Sequence, residues 1–557
     1  MRTPTPLERL APWLLLAAIA VPRVVLSGCV TDFGADGGFY ADIAKNVSQG
    51  NGLSTDVSVF HQGFGSFPHP TSVYPLWPLL YGAVAAVGPL EGVGVWLPTA
   101  LYFVAVGLAY QWGRRLAPNP FVEGVPLHGG HLVGALFAVT AGLPIATSRP
   151  YTEGLAFVLL FAALLRARAL WSRLGWVAGL ELGGWLIALF LARSQFVVVA
   201  IAAAGALGVT ALRRPREAAR FGVAAVVSFG AVWAPYVAWL GTFLPDAGLG
   251  TYLRFDQARA SDVLSRVPVM VEVASPADKV LDLLQGVAQA FSLGDGDSYY
   301  HLHHAAIHAV PLALLVVASR ARRWRVAWRF VRTRAGADAV FANLTAVGLT
   351  ASLHTVHKVY ASPWVFGDRQ AIPSVLLVAL CALVLVRSRV ALVRAAGLAL
   401  VAAGVYGGWR ELVFDAEGAC SGTGAPYRPQ LRAWIAEQHD RLGELTLAVE
   451  RPEAQRLSWR TEDVGFHWMS ETTTPADLGV MVRELHVAYV VVFDSLRHTT
   501  FDRDPTFLRQ WVEVESFDDG AAADADEGED RRAGRATRVY APACAAFPGV
   551  PTCADPE

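Results

Sequence analysis

Long apolar stretches separated by arginine-rich turns constrain this chain more than any other feature. About eleven of them approach the roughly 20 residues that an α-helix needs to cross a bilayer. The 557-residue sequence is 54% hydrophobic and 17% charged, with a mean hydropathy of +0.38, too apolar for a soluble protein. We therefore predict a polytopic α-helical membrane protein. The predicted spans are 11–27, 93–112, 131–146, 154–165, 175–192, 196–212, 221–240, 307–318, 339–353, 372–386 and 391–406.

Arginines collect before the first span and after every second span, which orients the whole set. Under the positive-inside rule these basic junctions lie in the cytoplasm together with the N-terminus. The long loops 28–92 and 242–304, and the region after the last span, are then predicted to be extracytoplasmic. We expect an integral protein of a bacterial inner or plasma membrane. The basic clusters lie at 2–9, 114–115, 166–173, 213–220, 319–334 and 387–389.

The apolar segment 74–87 tests this orientation, because a further span there would reverse the sidedness of everything that follows. The segment is short and has Pro75 and Pro78 in its first turns. A helix of this length is typical of interfacial or re-entrant segments rather than spans. We therefore predict that it stays within the first extracytoplasmic loop.

The C-terminal region, residues 409–557, is predicted to be a small extracytoplasmic α/β domain that follows a transmembrane domain of residues 1–408. Helical patterns occur at 429–442 and 474–486, where Thr474 and Pro475 supply an N-cap and a first-turn proline. Strand patterns occur at 444–450, 487–495, 511–517 and 537–542. The acidic run 518–532 is interpreted as a solvated loop, with an ion site as the alternative.

Cysteine positions agree with the predicted sidedness. An oxidising exterior permits disulfides. Cys544 and Cys553 would close a short loop, and Cys29 with Cys420 would form a second pair on the same outer side, whereas Cys381 lies inside a span. Neither pair has the spacing of zinc ligands.

The first extracytoplasmic loop holds most of the candidate functional residues. Asp36 precedes a plausible helix, so the sequence allows either an N-cap or a catalytic base at this position. The loop also carries Asp32, Tyr40, Asp42, Lys45, His61 and His69. A formal net charge of −1 gives no indication of nucleic-acid binding.

The residue order of this loop resembles the first extracytoplasmic loop of GT-C glycosyltransferases. Asp36 follows Arg23 by thirteen residues, Tyr40 comes four residues later, and a Gly-rich turn occupies 49–52. The resemblance is to the protein O-mannosyltransferase and aminoarabinose transferase group (glycosyltransferase family 39-like), whose members use polyprenyl-phosphate-linked sugars. That group commonly has an Asp-Glu pair, but Gly37 replaces the Glu here. Asp32 and Asp42 remain as alternative second carboxylates.

Three further segments of the membrane portion fit the same resemblance. Ser148–Glu153 resembles the family's second outer loop, residues 367–373 resemble its Gly, Arg, apolar pair, Pro signature, and Arg193 ends the fifth span. The resemblance implies a hexosyl- or pentosyltransferase that moves a sugar to a lipid, glycan or protein acceptor. The implied catalytic residues are Asp36, Glu153 and Asp32, the implied donor-phosphate ligands are Arg369, Arg23, Arg149 and Arg193, and the implied substrate-loop residues are Tyr40, Asp42, Lys45, His61 and His69.

The chemistry explains why such residues are needed. A carboxylate can remove the proton of the acceptor hydroxyl, and arginine can stabilise the charge that develops on the phosphate leaving group. The resemblance does not decide whether a divalent metal takes part; the candidate ligands for one are His301, His303, His304, His354 and His357.

Two other functional classes remain open. A transporter or flippase of a lipid-linked or small polar substrate is the rival class, although secondary transporters commonly show internal repeats and midplane polar sites that are not evident here. A non-catalytic membrane scaffold is the third. No P-loop or nucleophile elbow indicates an ATPase or a serine hydrolase.

Overall fold

The computed structural model of the chain describes residues 6–30, 32–59, 67–71, 74–121, 127–140, 143–242, 334–360, 375–388, 390–421, 428–469, 473–493, 504–517 and 537–554. A bundle of apolar helices is followed by a C-terminal α/β unit. The bundle contains α1 (Pro6–Cys29), α2 (Gly34–Ser48), α3 (Leu76–Ala85), α4 (Leu90–Leu116), α5 (Gly129–Ala138), α6 (Leu143–Ser148), α7 (Glu153–Ser172), α8 (Trp176–Ala192), α9 (Val197–Ala211), α10 (Pro215–Gly241), α11 (Arg334–Tyr360), α12 (Val375–Val386) and α13 (Ala391–Ser421).

Four of the described helices are long and apolar enough to cross a membrane: α4, α7, α10 and the first part of α13, Ala391–Arg410. The described part of the chain thus contains a membrane-type helical bundle, and the count of about eleven spans stays a prediction. The predicted span 131–146 is divided between α5 and α6. The predicted span 307–318 lies outside the described residues.

Helix α3 occupies the ambiguous segment 74–87. Its 10 residues would extend only about 15 Å, half the thickness of the hydrocarbon core. The helix is therefore too short to span the membrane, in agreement with the sequence prediction. By contrast, α13 continues past the predicted domain boundary at 408/409 to Ser421.

The C-terminal unit is built on a six-stranded sheet with strand order β2-β5-β4-β6-β8-β7. Strands β2, β5, β4 and β6 are parallel, whereas β8 and β7 join in antiparallel fashion. Its helices are α14 (Pro429–Leu442), α15 (Arg451–Ser458), α16 (Pro475–Leu485) and α17 (Pro505–Gln510), and its strands are β4 (Leu445–Glu450), β5 (Val464–Met469), β6 (Tyr489–Phe493), β7 (Trp511–Phe517) and β8 (Thr537–Pro542).

Most of these C-terminal elements agree with the sequence predictions. The expected helices at 429–442 and 474–486 are present as α14 and α16, and the four strand patterns correspond to β4, β6, β7 and β8. Thr474 caps α16 as predicted, in a reciprocal hydrogen-bonded pair with Asp477. Strand β5 and helix α15 were not predicted. The acidic run 518–532 lies outside the described residues.

The loop between α1 and α4, residues 30–89, is part of both units; we call it the first loop. It contributes β1 (Ser54–Thr55), β3 (His69–Pro70) and β2 (Val57–Val59), and β2 pairs with β5 as the edge strand of the C-terminal sheet. Helix α2 lies between the two hydrophobic cores. Its Ala41 and Ala44 pack in the bundle core, while Phe39 and Ile43 pack in the core of the sheet.

Both predicted disulfides are present. Cys29 at the end of α1 is bonded to Cys420 near the end of α13, and Cys544 is bonded to Cys553. The remaining cysteine, Cys381, is free and buried in α12. The Cys29–Cys420 bond joins the two ends of the described bundle at the side where the first loop and the C-terminal unit meet.

Candidate active site

Helix α2 presents Asp36 and Tyr40 on one face, because residues four apart lie one turn above each other. Asp36 is the third residue of the helix, and Phe33 occupies the N-cap position. The structure therefore excludes Asp36 as an N-cap. Both Asp36 and Tyr40 are partly exposed, whereas the six residues from Ala41 to Asn46 are buried.

An ion pair between α7 and α8 faces this helix. Glu153 is the first residue of α7, and Arg193 follows the last residue of α8. Arg193 Nη1 donates to Glu153 Oε1 and, over 3.1 Å, to the hydroxyl of Thr152, and its Nε donates to Gln195 Oε1 over 2.7 Å. Glu153 is only 3% exposed, so the pair is largely screened from water.

The environment of Tyr40 shows that these groups lie together. The pKa of Tyr40 is raised well above the usual value of a tyrosine, first by burial and then by Tyr74, Asp36 and Glu153, while Arg193 opposes the shift. Such electrostatic effects act over several ångströms. Residues that are far apart in the sequence thus lie within electrostatic reach of Tyr40. We call this group the α2 site: Asp36, Tyr40, Tyr74, Glu153 and Arg193.

A second polar group adjoins the start of α2 and includes residues of the C-terminal unit. Asp32 accepts from Arg460 Nη2 at 3.2 Å and lies 3.4 Å from Arg456 Nε. Burial alone would raise the pKa of Asp32, but Arg456, Arg460 and Arg149 outweigh it and lower the pKa. We call Arg149, Arg456 and Arg460 the arginine cluster. The carboxylate of Asp32 therefore stays ionised among three guanidinium groups.

Two glycines explain how α2 fits between the units. A Cβ on Gly37 would lie 3.1 Å from Cε1 of Tyr151 and 3.3 Å from Cδ of Pro150. A Cβ on Gly38 would lie 2.2 Å from the carbonyl oxygen of Gln455 in α15. Side chains are absent from this part of α2 because its backbone is held against both neighbours. Even the Cβ of a Glu at this position, the residue common in the families that the sequence resembles, would require Tyr151 or Pro150 to give way by a few tenths of an ångström.

Arg23 does not reach the α2 site, contrary to its prediction as a phosphate ligand. It is 0% exposed, and its guanidinium donates to the hydroxyls of Ser27, Thr147 (3.1 Å) and Thr99 (3.4 Å). Six residues separate it from the end of α1, or about 9 Å of helix, which places it inside the bundle. The structure gives this arginine a role in packing.

Asp42 and Lys45 also lie elsewhere than predicted. The Nζ of Lys45 contacts Asp56 at 2.6 Å, Asp42 at 3.3 Å, and the carbonyl oxygens of Ser458 and Thr461 at 2.8 and 3.0 Å. Although burial would lower the pKa of Lys45, the two carboxylates raise it. Burial and Asp42 raise the pKa of Asp56 to about 7. This network joins α2 to β2 and α15, so Asp42 and Lys45 hold the two units together.

His69, another predicted substrate-loop residue, is buried at the edge of the same network. Its Nε2 lies 3.1 Å from the carbonyl oxygen of Val57, and its Nδ1 lies 3.0 Å from that of Pro70. Burial lowers its pKa, so the ring is neutral at physiological pH. His69 therefore links β3 to β2 within the first loop.

Several predicted residues cannot be placed. Arg369, His61, His301, His303 and His304 lie outside the described residues, and the side chains of His354 and His357 are also outside them. Within the part of the chain that the structure describes, no group of three or more His, Cys, Asp or Glu side chains could hold a metal ion.

The contributions of Tyr74, Arg456 and Arg460 were not predicted from the sequence. Arg456 lies in the last turn of α15, and Arg460 lies four residues later in the turn that follows the helix. Nothing local in the sequence showed that these two arginines would meet Asp32, more than 400 residues earlier.

Three solved structures of an archaeal oligosaccharyltransferase from Archaeoglobus fulgidus resemble this chain. The complex with an inhibitory peptide and a dolichol-phosphate has a TM-score of 0.54 at 12% identity, covering 97% of this chain and 77% of that one. The form tethered to an acceptor peptide with the NVT sequon has a TM-score of 0.53 at 11% identity, covering 94% and 75%. The complex with Zn and sulfate has a TM-score of 0.52 at 12% identity, covering 85% and 67%.

The likeness extends over nearly the whole chain, so both the helical bundle and the C-terminal unit take part in it. At this identity the likeness shows the fold alone. It does not single out the mannosyl- and aminoarabinosyltransferase group. No protein-family profile and no curated protein sequence matches the chain.

Proposed function

We propose that this protein is a membrane glycosyltransferase that moves a sugar from a polyprenyl-phosphate donor to an acceptor hydroxyl, with Asp36 as the general base. The observation that carries the proposal is the α2 site. A partly exposed carboxylate on α2 is gathered with Tyr40 and the Glu153–Arg193 pair where the bundle meets the C-terminal unit.

The resemblance to the archaeal enzyme supports the proposed substrate class. One of its structures contains a dolichol-phosphate, and another carries an acceptor peptide. For a bacterial membrane, the corresponding donor is a sugar linked to a polyprenyl phosphate. The acceptor is a lipid, glycan or protein. We infer from the arginine-rich junctions that the site opens on the extracytoplasmic side.

The residues of the α2 site suit this reaction. Asp36 accepts the proton of the acceptor hydroxyl as its oxygen bonds to the anomeric carbon of the sugar. The bond between that carbon and the phosphate oxygen breaks, and the polyprenyl phosphate leaves with the bonding electrons. Glu153 fixes Arg193 at the edge of the site, because a charge-assisted hydrogen bond joins them. Arg149 provides positive charge near the start of α2.

Arg369 keeps its expected role as a phosphate ligand within this proposal, but it lies outside the described residues. The Zn complex of the archaeal protein keeps a divalent ion open as a cofactor. Among the described residues, no group of three or more His, Cys, Asp or Glu side chains could hold such an ion.

A transfer assay in membranes with labelled polyprenyl-phosphate sugars tests the function. Asp36→Asn should lower transfer at least 100-fold, since general-base catalysis contributes roughly 10²–10⁴-fold. Asp440→Asn, which changes an exposed carboxylate on α14, should transfer like wild type. Unchanged transfer by Asp36→Asn would remove Asp36 as the base. Movement of the labelled lipid across vesicles without sugar transfer would favour the transporter class instead.

A further inference from the structure

The positive charge near α2 is concentrated at one place. Arg193 is paired with Glu153, and Arg23 is enclosed by hydroxyl groups inside the bundle. Arg149 is the remaining described arginine among the four predicted to bind phosphate. It interacts with the carboxylate of Asp32, as Arg456 and Arg460 also do. Arg456 has a second carboxylate partner, Glu453 at 3.4 Å, so the three guanidinium groups around Asp32 share two carboxylates.

The arginine cluster is held in a fixed geometry. Arg456 and Arg460 approach different oxygens of Asp32, Oδ2 and Oδ1. The guanidinium of Arg460 stacks on the ring of Trp459 at 4.1 Å, and that ring stacks on Phe33 at 4.4 Å. Since Phe33 is the N-cap of α2, the cluster is anchored to the helix that carries Asp36.

The cluster is also within reach of the site and of solvent. Arg149 Nη1 lies 3.2 Å from the position that a Cβ on Gly34 would take, two residues before Asp36. The side chains of Asp32 and Arg456 are 24% and 18% exposed, whereas that of Arg460 is 4% exposed. Donors of this geometry match the oxygens of a phosphate group.

We propose that the arginine cluster binds the phosphate of the polyprenyl donor, so that the C-terminal unit completes the donor site through Arg456 and Arg460. The inference rests on the proposed function. Asp32 acts in it as an internal counter-ion that competes with the phosphate for the same donors. This assigns Asp32 a role different from the catalytic one expected from the sequence.

Binding measurements on the full-length protein in phosphatidylcholine vesicles test the proposal, with polyprenyl phosphate as probe and uncharged polyprenol as control. Arg456→Gln and Arg460→Gln should each weaken phosphate binding about tenfold or more, since a hydrogen bond to a charged group is worth roughly 1.5–3 kcal/mol. Polyprenol binding should not change. The control variant Arg441→Gln, which removes a hydrogen bond to the Tyr489 hydroxyl on the same unit, should bind like wild type.

Asp32→Asn separates a binding role from a structural one. If the cluster binds phosphate, removal of the competing carboxylate should tighten polyprenyl phosphate binding several-fold. If the ion pairs only hold the two units together, Asp32→Asn should weaken binding as the arginine variants do, and the proposal is then wrong. Should Arg460→Gln fail to fold, as judged by its melting temperature and lost polyprenol binding, Arg456→Gln and Asp32→Asn decide the question.

The outcomes also distinguish this inference from the proposed function. A wild-type protein that binds polyprenyl phosphate through the cluster but transfers no sugar would overturn the proposed function alone. Sugar transfer by wild type, together with unchanged phosphate binding in both arginine variants, would overturn the donor-site inference alone.

Discussion

Gly37 lies directly against Tyr151: a Cβ on Gly37 would stand 3.1 Å from Cε1 of the tyrosine ring. This contact brings α2 of the first loop onto the segment that precedes α7, and so brings Asp36 towards Glu153. The family resemblance commonly has a Glu at the position of Gly37. The glycine found here lets α2 lie close to the segment that precedes α7.

Restoring the family's acidic pair should harm the protein. Gly37→Glu forces a long side chain against Tyr151 and Pro150, and overpacking of this kind costs about 1–3 kcal/mol. We expect a lower melting temperature and reduced sugar transfer. Gly28→Glu, in the last turn of α1, is the control, because no atom lies within 4 Å of a Cβ added there. Increased transfer by Gly37→Glu would contradict the steric explanation.

Lys45 should be a major contributor to stability. Lys45→Met leaves Asp42 and Asp56 buried without their ammonium partner, and breaking a buried ion pair costs about 3–5 kcal/mol. Arg166→Gln is the matched control, because its ion pair with Glu181 is exposed and such pairs contribute little to stability. Melting temperatures in detergent measure both. Equal losses for the two variants would show that Lys45 does not lock α2 to the C-terminal unit.

His467 should make the protein less stable in acid. The ring is fully buried in β5, and neither nitrogen has a hydrogen-bond partner in the described part of the chain. Burial first, and then neighbouring His69, lower its pKa from the usual 6.5 to about 4. As the pH falls through this window, the unfolded chain takes up a proton before the folded protein does. Stability should then fall by up to about 3 kcal/mol between pH 6.5 and pH 4.

Comparison with His467→Leu isolates this effect from the other ionisable side chains whose pKa is shifted at the same interface, which include His69, Asp56 and Lys45. Melting curves recorded from about pH 4 to pH 8, on both sides of the usual histidine pKa, should show a shallower acid slope for the variant. An unchanged slope would mean that His467 is not the group responsible.

The Cys29–Cys420 disulfide should stabilise the site as well as the fold. It closes a loop of 391 residues, and removal of a native disulfide costs about 2–5 kcal/mol. In the double variant Cys29→Ser, Cys420→Ser we expect a lower melting temperature and a loss of transfer that precedes unfolding, because Cys29 lies just before Asp32 and α2. The variant Cys544→Ser, Cys553→Ser removes the other disulfide, in the C-terminal unit, and should spare transfer.

Local patterns predicted much of this molecule. Helices α14 and α16, the cap at Thr474 and the short helix α3 follow from hydrophobic periodicity and proline positions, which act within a few residues. Helix geometry could also have separated Asp36 from Asp42, since six residues turn about 240° and place them on different faces.

Contacts between distant segments could not be predicted in this way. The meeting of Asp32 with Arg460 and the contact of Lys45 with the carbonyl oxygen of Ser458 each join residues more than 400 positions apart. No local signal in a single sequence reports such a contact. The roles of Asp42 and Lys45 were therefore misjudged, and the arginines of the C-terminal unit were overlooked.

The pairing of β2 with β5 has a consequence for biosynthesis. Residues 57–59 leave the ribosome long before residues 466–468, their partners in the sheet. Strand β2 of the first loop therefore has no partner strand until translation is almost complete. Conversely, a fragment beginning at α14 would expose the backbone of β5 as an open edge, and such edges recruit strands from other molecules. A soluble C-terminal fragment should self-associate unless a peptide covering residues 54–59 is supplied in trans.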